Sequence, residues 1–181
     1  DLLGLLLAAR DAEDGTALSH DEVRDETLTL ILSGHETTAN VLTWALCHLR
    51  DRDDLWTALA AEAAEHLPEG EAPDLRRVLA APTAHAVMSE TLRLAPPVWV
   101  APRRALEEVE IAGVTVPRGA HVLVSQYASH RSERFFEHPD AFRPERWAGD
   151  LESTLPRGAY SPFGAGTRKC LGDQFALLEA H

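Results

Sequence analysis

The residues best suited to chemistry lie in a glycine-rich segment around Cys170, near the end of the chain. Glycines let the backbone turn with positive φ and approach a bulky partner closely. Arg168 and Lys169 precede the sulfur, a helix is predicted directly after it, and no acidic residue lies between Ser153 and Gly172. Cationic charge and a helix N-terminus favour a thiolate, which can bind a metal or act as a nucleophile. The alternative is a buried structural cysteine in a tight turn.

The other cysteine and the histidines support other sites less well. Cys47 lies among apolar residues of a predicted helix and is predicted to be core. None of the nine histidines forms a His-Glu-x-x-His or His-x-x-x-His pair, so a zinc site is poorly supported. His121 and His130 are predicted at the surface or at strand ends. The chain has no Gly-x-Ser-x-Gly segment, so a serine hydrolase is also unsupported.

A predicted long helix contains poor helix formers at its centre, namely Gly34 and the threonines Thr37 and Thr38. A local rule broken inside an element indicates function. A threonine hydroxyl that bonds back to a carbonyl can open the helix and leave a water site. A packing contact at Gly34 is the alternative.

Glu90 and Arg93 lie three residues apart, on one face of another predicted helix. Taken alone, such a pair is usually a weak surface contact. A Pro-Glu-Arg-Trp segment that ends at Trp147 follows downstream.

Together these residues resemble the cytochrome P450 family. The spacing Phe-x-x-Gly-x-x-x-Cys-x-Gly, from Phe163 to Gly172, is similar to the haem loop of that family. The resemblance implies that the Cys170 thiolate is the iron ligand. Four such motifs occur in family order and cover nearly all of the chain. The other haem-binding residues that this loop implies are Phe163, Gly164, Gly166 and Arg168.

The long-helix motif is similar to the family's oxygen-activating motif, an acid followed by a threonine. The resemblance implies that Glu36 and Thr37 are catalytic and organise the water chain that delivers protons. Gly34 would leave room for oxygen over the haem.

Glu90 and Arg93 match the family's Glu-x-x-Arg motif, and Arg146 lies where the family has its meander arginine. The resemblance implies a buried charge triad that holds the haem loop in place. Trp147 stands where the family usually has Phe, and we expect it to fill the site similarly.

The segment from Pro96 to Arg103 resembles the family's strand beside the haem. By this resemblance Arg103, rather than its neighbour Arg104, pairs with one haem propionate, and Arg168 pairs with a propionate from the cysteine loop. The residues implied to line the substrate pocket are Val98, Trp99 and Val100, although Trp99 could equally be core.

Apolar spacing predicts the elements that position these residues. Helices are predicted at residues 1–10, 19–49, 53–67, 74–79 and 82–94, with a loop at Pro68–Pro73. Strands are predicted at 98–101, 109–111, 114–116 and 121–124, followed by an irregular stretch at 130–162. The fold class is mainly α (α+β). The resemblance implies a partial cytochrome P450 fold: long central helix, following helices, small β-sheet, meander, cysteine loop and start of the next helix.

Composition limits the class of protein. The chain is 45% apolar and 25% charged, as in soluble globular proteins, and no apolar run approaches the ~20 residues of a membrane span. The first residues contain no basic leader of the kind that a signal peptide has, so a cytoplasmic location is predicted. A net charge of −12 argues against nucleic-acid binding. Sixteen arginines against one lysine suggest a bacterial coding sequence.

The chain begins at Asp1 and stops inside a predicted helix. We therefore expect residues 1–181 to be the C-terminal portion of a single cytochrome P450 domain whose N-terminal half is absent, and to be inactive alone.

The resemblance implies a monooxygenase that uses haem b to insert one atom of O₂ into a small organic substrate. Electrons come from NAD(P)H through a ferredoxin or reductase. An acid-free cationic patch around Arg157, Arg168 and Lys169 is compatible with an acidic ferredoxin, and a solvated or propionate-facing role for the same charges remains an alternative. A catalytically inactive haem-binding remnant and a peroxide-driven peroxygenase remain alternatives, although the Glu36-Thr37 pair argues against the latter.

Overall fold

The computed structural model describes residues 1–67, 70 and 74–181, so the predicted loop Pro68–Pro73 falls outside the described residues except for Gly70. Two compact units are present, residues 1–39 and 40–181. The helices are α1 (Leu2–Ala8), α2 (His20–Leu49), α3 (Asp53–His66), α4 (Leu75–Leu79), α5 (Pro82–Leu94), α6 (Gln126–His130), α7 (Leu151–Thr154) and α8 (Asp173–Ala180). The strands are β1 (Ala101–Arg104), β2 (Val109–Ile111), β3 (Val114–Val116) and β4 (His121–Val124), and Pro144–Trp147 and Gly166–Arg168 form 3₁₀ helices.

The start of α2 follows directly from the sequence. The Ser19 hydroxyl accepts the N–H of Glu22 at 3.2 Å, and the Glu22 carboxylate accepts the N–H of Ser19 at 2.7 Å. This reciprocal pair satisfies two N–H groups that the helix itself leaves without partners. From there α2 continues for 30 residues to Leu49, which confirms the predicted long helix. In the part of the chain that the structure describes, no helix is long and apolar enough to cross a membrane.

The core of the second unit forms around the last part of α2. Val41, Ala45 and Leu49 recur every four residues and are all buried, which places them on one helix face. Val41 and Ala45 pack with two residues of α5, and this cluster is covered from the cysteine-loop side and from α8. Its members are Val41, Ala45, Met88, Leu92, Phe163, Leu177 and Ala180.

The prediction that Cys47 is core is wrong, because its thiol is exposed. Position 47 lies about 200° around the helix from Ala45, so it points away from the buried face. Leu46 is also 57% exposed. Apolar neighbours in sequence therefore did not identify the buried side of α2.

Helix α5 positions the charged residues of the site. It begins with Pro82 at its first turn, where a missing N–H costs nothing. The next two backbone N–H groups, of Thr83 and Ala84, donate to the Glu62 carboxylate of α3 at 2.8 and 2.9 Å. The second half of α5, from Val87 to Leu94, is buried throughout.

The strands form two separate two-stranded sheets, β1–β4 and β2–β3, both antiparallel. The last three predicted strands have the observed bounds, but the first prediction is wrong. Its strand lies at Ala101–Arg104 and not at 98–101. Pro102 is tolerated there because, among the described residues, β1 pairs with β4 alone and lies at a sheet edge. The predicted mainly α fold with a small β part is confirmed.

Candidate functional site

The cysteine loop is held by its own backbone. The N–H of Cys170 donates to the carbonyl of Phe163 at 2.9 Å, which closes the loop at its base. Gly164 and Gly166 adopt φ of +72° and +71°, a region that favours glycine. No heavy atom lies within 4 Å of a Cβ built on Gly166, so the backbone there faces open space.

The Cys170 thiol, at the C-terminal end of this loop, is exposed. A Cβ built on Gly172 would lie 4.0 Å from the sulfur, in ordinary van der Waals contact with it. Two apolar side chains of the same region face solvent, since Leu171 is 97% and Phe175 68% exposed. The structure therefore presents one accessible sulfur together with exposed apolar surface, and it does not support the alternative of a buried structural cysteine.

The charges around the sulfur differ from the prediction. Lys169 pairs with Asp173 at 2.5 Å, one helical turn later, and this contact raises the pKa of Lys169 and lowers that of Asp173. A cavity of about 370 Å³ is lined by Lys169 and Arg157 but also by Asp173 and Glu152. The predicted acid-free cationic patch is therefore wrong, because folding brings two carboxylates to it. Arg168 is exposed and has no acidic partner among the described residues.

Behind the loop, Glu90 is completely buried at the centre of a hydrogen-bonded network. Arg93 binds both its carboxylate oxygens, each at 2.8 Å, and Arg146 donates to one of them at 3.0 Å. The backbone N–H of Arg143 and the indole N–H of Trp147 donate to it as well, both at 2.8 Å. Burial alone would raise the pKa of Glu90, but these donors, led by Arg93, hold it below its usual value.

Trp147 thus contributes more than the bulk that the sequence suggested. It is buried and packs at 4.6 Å, between ring centroids, against Tyr160. Its indole N–H is a donor that phenylalanine lacks. The prediction that another aromatic residue fills the site similarly is therefore incomplete.

Arg93 also fixes the path of the irregular segment after α6. Its guanidinium donates to the carbonyls of His130, Pro139 and Ala141 at 2.8, 2.6 and 3.2 Å. It lies 5.1 Å from the ring centroid of Phe136. One buried side chain therefore binds both the α5 acid and three points of the following segment.

The prediction for His130 is wrong, because this side chain is fully buried. Its Nε2 accepts the backbone N–H of Ser161 at 2.9 Å, two residues before Phe163. The neighbouring Tyr160 donates to the Ser89 carbonyl at 3.1 Å, and burial raises its pKa. The residue four positions earlier on α6, Gln126, is also buried, but it is polar, so no apolar spacing in the sequence marks His130 as buried. His121 is exposed at the start of β4, as predicted.

The structure also places the remaining predicted residues. Thr37 donates from its hydroxyl to the Ser33 carbonyl at 2.6 Å, yet α2 stays continuous, so the expected opening of the helix is absent. Glu36 is exposed, Thr37 half-buried, and Gly34 has no heavy atom within 4 Å of a Cβ position.

On the strand side, Arg103 and Arg104 are both exposed on β1, and Arg103 donates to the carbonyl of Pro102 at 2.8 Å. Val98 and Trp99 are exposed and Val100 is half-buried. Of these three, Trp99 lines a cavity of about 580 Å³ together with Trp44 and Tyr127.

Comparison with known proteins shows the family of this chain. The family model described as "Cytochrome P450" matches residues 1–181. The chain belongs to the cytochrome P450 family. It is 42% identical over 180 residues to cyclooctatin synthase of Streptomyces melanosporofaciens and 36% identical over 180 residues to pentalenene oxygenase of Streptomyces avermitilis. These alignments cover 99% of this chain and 39% and 40% of the relatives, so the chain spans about two fifths of their length.

A solved structure shows the same cytochrome P450 fold. The crystal structure of the cytochrome P450DA heme domain matches with a TM-score of 0.91 at 34% identity, covering 99% of this chain and 40% of that one. The expected partial cytochrome P450 fold is therefore confirmed.

The residues present fit a haem. Among the described residues no group of three or more His, Cys, Asp or Glu is arranged to hold a metal, but a haem iron needs only one protein ligand on the cysteine side. The exposed Cys170 can supply that ligand, the open glycine loop leaves space for a wide ring, and exposed Arg103 and Arg168 can bind carboxylates.

Proposed function

We propose that this chain is the C-terminal portion of a single cytochrome P450 domain and that Cys170 is the proximal ligand of its haem. The observation that carries this proposal is the exposed thiol on a glycine loop whose base is closed by the Cys170–Phe163 hydrogen bond. Haem bound there supplies the oxygen chemistry, in which one atom of O₂ enters an organic substrate and the other leaves as water.

The residues of this chain bind and orient the cofactor. Cys170 binds as a thiolate, Phe163, Gly164 and Gly166 shape the loop against the ring, and Arg103 and Arg168 bind the propionates. The buried Glu90–Arg93–Arg146 network holds the segment behind the loop. Its donors satisfy both oxygens of Glu90, so the network stabilises this geometry without leaving a buried charge unpaired.

Glu36 and Thr37 handle protons in this proposal, and Gly34 leaves room for oxygen. The Thr37 hydroxyl donates its hydrogen to the Ser33 carbonyl, so in this geometry its oxygen can only accept a hydrogen bond from water. To pass a proton onward it must rotate away from that carbonyl. Glu36 is exposed and can exchange protons with water.

We propose a small, largely apolar organic substrate. Val98 and Trp99 present exposed apolar surface, and Val100 lies beside them. Relatives named cyclooctat-9-en-7-ol 5-monooxygenase and pentalenene oxygenase are 40% and 36% identical to this chain. Electrons come from NAD(P)H through a ferredoxin or reductase in this proposal.

The test uses the full-length protein that carries this chain, loaded with haem and reduced under carbon monoxide. We expect a red-shifted Soret band typical of haem thiolate, lost in Cys170→Ser and retained in Cys47→Ser, which alters the other exposed thiol. A folded, haem-loaded protein without this band would overturn the thiolate assignment. Turnover with hydrogen peroxide but not with a reductase would replace the monooxygenase by a peroxygenase.

A further inference from the structure

His130 occupies a position between the buried charge network and the cysteine loop. Its backbone carbonyl accepts from Arg93 at 2.8 Å, while its ring accepts the Ser161 N–H at 2.9 Å. The ring is completely buried and lies 5.1 Å from that of Tyr160. One residue therefore contacts the network through its main chain and the approach to the loop through its side chain.

The hydrogen bond from Ser161 defines the state of the ring. A backbone N–H only donates, so Nε2 must carry a lone pair, and the proton of the neutral ring lies on Nδ1. Burial lowers the pKa of His130 to about 4, because a charged ring would be desolvated, and this outweighs the backbone groups of Arg93 and Leu92, which favour the charged ring. Nδ1 has no hydrogen-bond partner among the described residues.

From Ser161 the contacts continue into the loop. The Ser161 carbonyl accepts the N–H of Gly164 at 3.0 Å, and the Phe163 carbonyl accepts the N–H of Cys170 at 2.9 Å. A shift of Ser161 therefore changes the position of the turn at Gly164, and with it the base of the loop that presents the sulfur. The His130–Ser161 contact is a side-chain anchor at the start of this series.

We propose that His130 is a positioning residue that fixes the cysteine loop, acting as a neutral acceptor at Nε2. This role rests on the proposed function, since it assigns His130 to the orientation of the thiolate ligand. It also gives the loop a direct link to Arg93, so that the buried triad and the loop are held by the same residue.

The test compares two amides in the full-length, haem-loaded protein. In His130→Gln the side-chain oxygen occupies the position of Nε2. In His130→Asn the side chain is shorter, so its oxygen occupies the position of Nδ1 and does not reach Ser161. We expect amide exchange at Ser161 to be faster by about tenfold or more in His130→Asn than in the parent protein, because one buried hydrogen bond is lost. In His130→Gln the exchange rate should be close to that of the parent. The carbon monoxide complex of His130→Asn should lose its red-shifted Soret band faster than that of the parent protein. The complex of His130→Gln should lose the band at the rate of the parent.

Two outcomes of the exchange experiment would overturn the proposal. Equal Ser161 exchange in His130→Asn and the parent would show that the acceptor does not hold the loop. Equal defects in both variants would show that ring packing, rather than Nε2, matters. If His130→Asn does not fold, ¹⁵N-histidine NMR of the reduced carbon monoxide complex decides, with His130→Gln identifying the signal. A neutral Nδ1–H ring at pH 7 supports the proposal, and any other state refutes it.

The exchange and tautomer measurements do not depend on which atom binds iron. Absence of the haem-thiolate band in the parent would therefore reject the proposed function and leave the His130–Ser161 contact to be judged separately.

Discussion

Replacing Trp147 with phenylalanine tests whether this position contributes a hydrogen bond in addition to its bulk. The change removes the indole N–H that donates to Glu90 at 2.8 Å. A hydrogen bond to a charged group contributes about 1.5–3 kcal/mol to stability. Arg93, Arg146 and the Arg143 N–H continue to satisfy the carboxylate, so no unpaired charge remains. We therefore expect the free energy of unfolding to fall by about 1.5–3 kcal/mol.

The assay is urea unfolding of the full-length protein, in which the midpoint falls and the slope stays constant if only stability changes. Trp44→Phe is the matched control, because the same chemical change is made at a side chain that is 47% exposed. We expect that control to cost less than about 0.5 kcal/mol. A Trp147→Phe loss as small as the control would refute the argument, since the indole donor would then contribute nothing beyond aromatic packing.

Three further predictions concern the same protein. Glu90→Ala leaves the guanidinium of Arg93 buried without its carboxylate and should cost about 3–5 kcal/mol in urea unfolding, far more than Glu36→Ala on the surface. The pKa of His130 is lowered from 6.5 to about 4, so its contribution to stability is fully present above pH 6.5 and is lost as pH falls towards 4. At about 1.4 kcal/mol per pH unit this contribution amounts to about 3 kcal/mol. In urea unfolding at different pH values, His130→Gln should remove that part of the pH dependence. Thr37→Val should reduce the amount of product formed per NAD(P)H consumed while leaving the haem-thiolate band unchanged, and Thr37→Ser, which keeps the hydroxyl, should give the yield of the parent protein. If the two variants give equal yields, the Thr37 hydroxyl is not part of the proton relay.

Local sequence rules predicted most element bounds. The capping pair at Ser19 and Glu22 set the start of α2, and Pro82 set the start of α5, because both act on adjacent backbone groups. The prediction of a strand at 98–101 was wrong because the position of this strand depends on its pairing partner and not on its own sequence. Pairing with β4 selects Ala101–Arg104, and the apolar side chains of Val98 and Trp99 stay exposed.

The charged centre of the site was predicted by family resemblance, and the structure brings Glu90, Arg93 and Arg146 together. What the sequence did not show were contacts set by distant segments. His130 is buried because the chain returns to it at Ser161, 31 residues later. The Lys169–Asp173 pair is local by contrast, since Asp173 lies directly after the acid-free stretch that ends at Gly172. The prediction for Cys47 was wrong for a different reason, since the apolar composition around it did not indicate which side of α2 faces the core.

The several bonds of Arg93 limit which parts of this chain can change length. One guanidinium binds the carbonyls of residues 130, 139 and 141, and Glu90 binds the N–H of residue 143. An inserted or deleted residue within 131–142 would displace at least one of these groups and leave a buried donor or acceptor unpaired. The turn at Ala112–Gly113 between β2 and β3 carries no such constraint, because nothing lies within 4 Å of a Cβ built on Gly113. Natural variation in length should therefore collect at that hairpin, and the irregular segment after α6, despite its lack of regular structure, should keep a fixed number of residues.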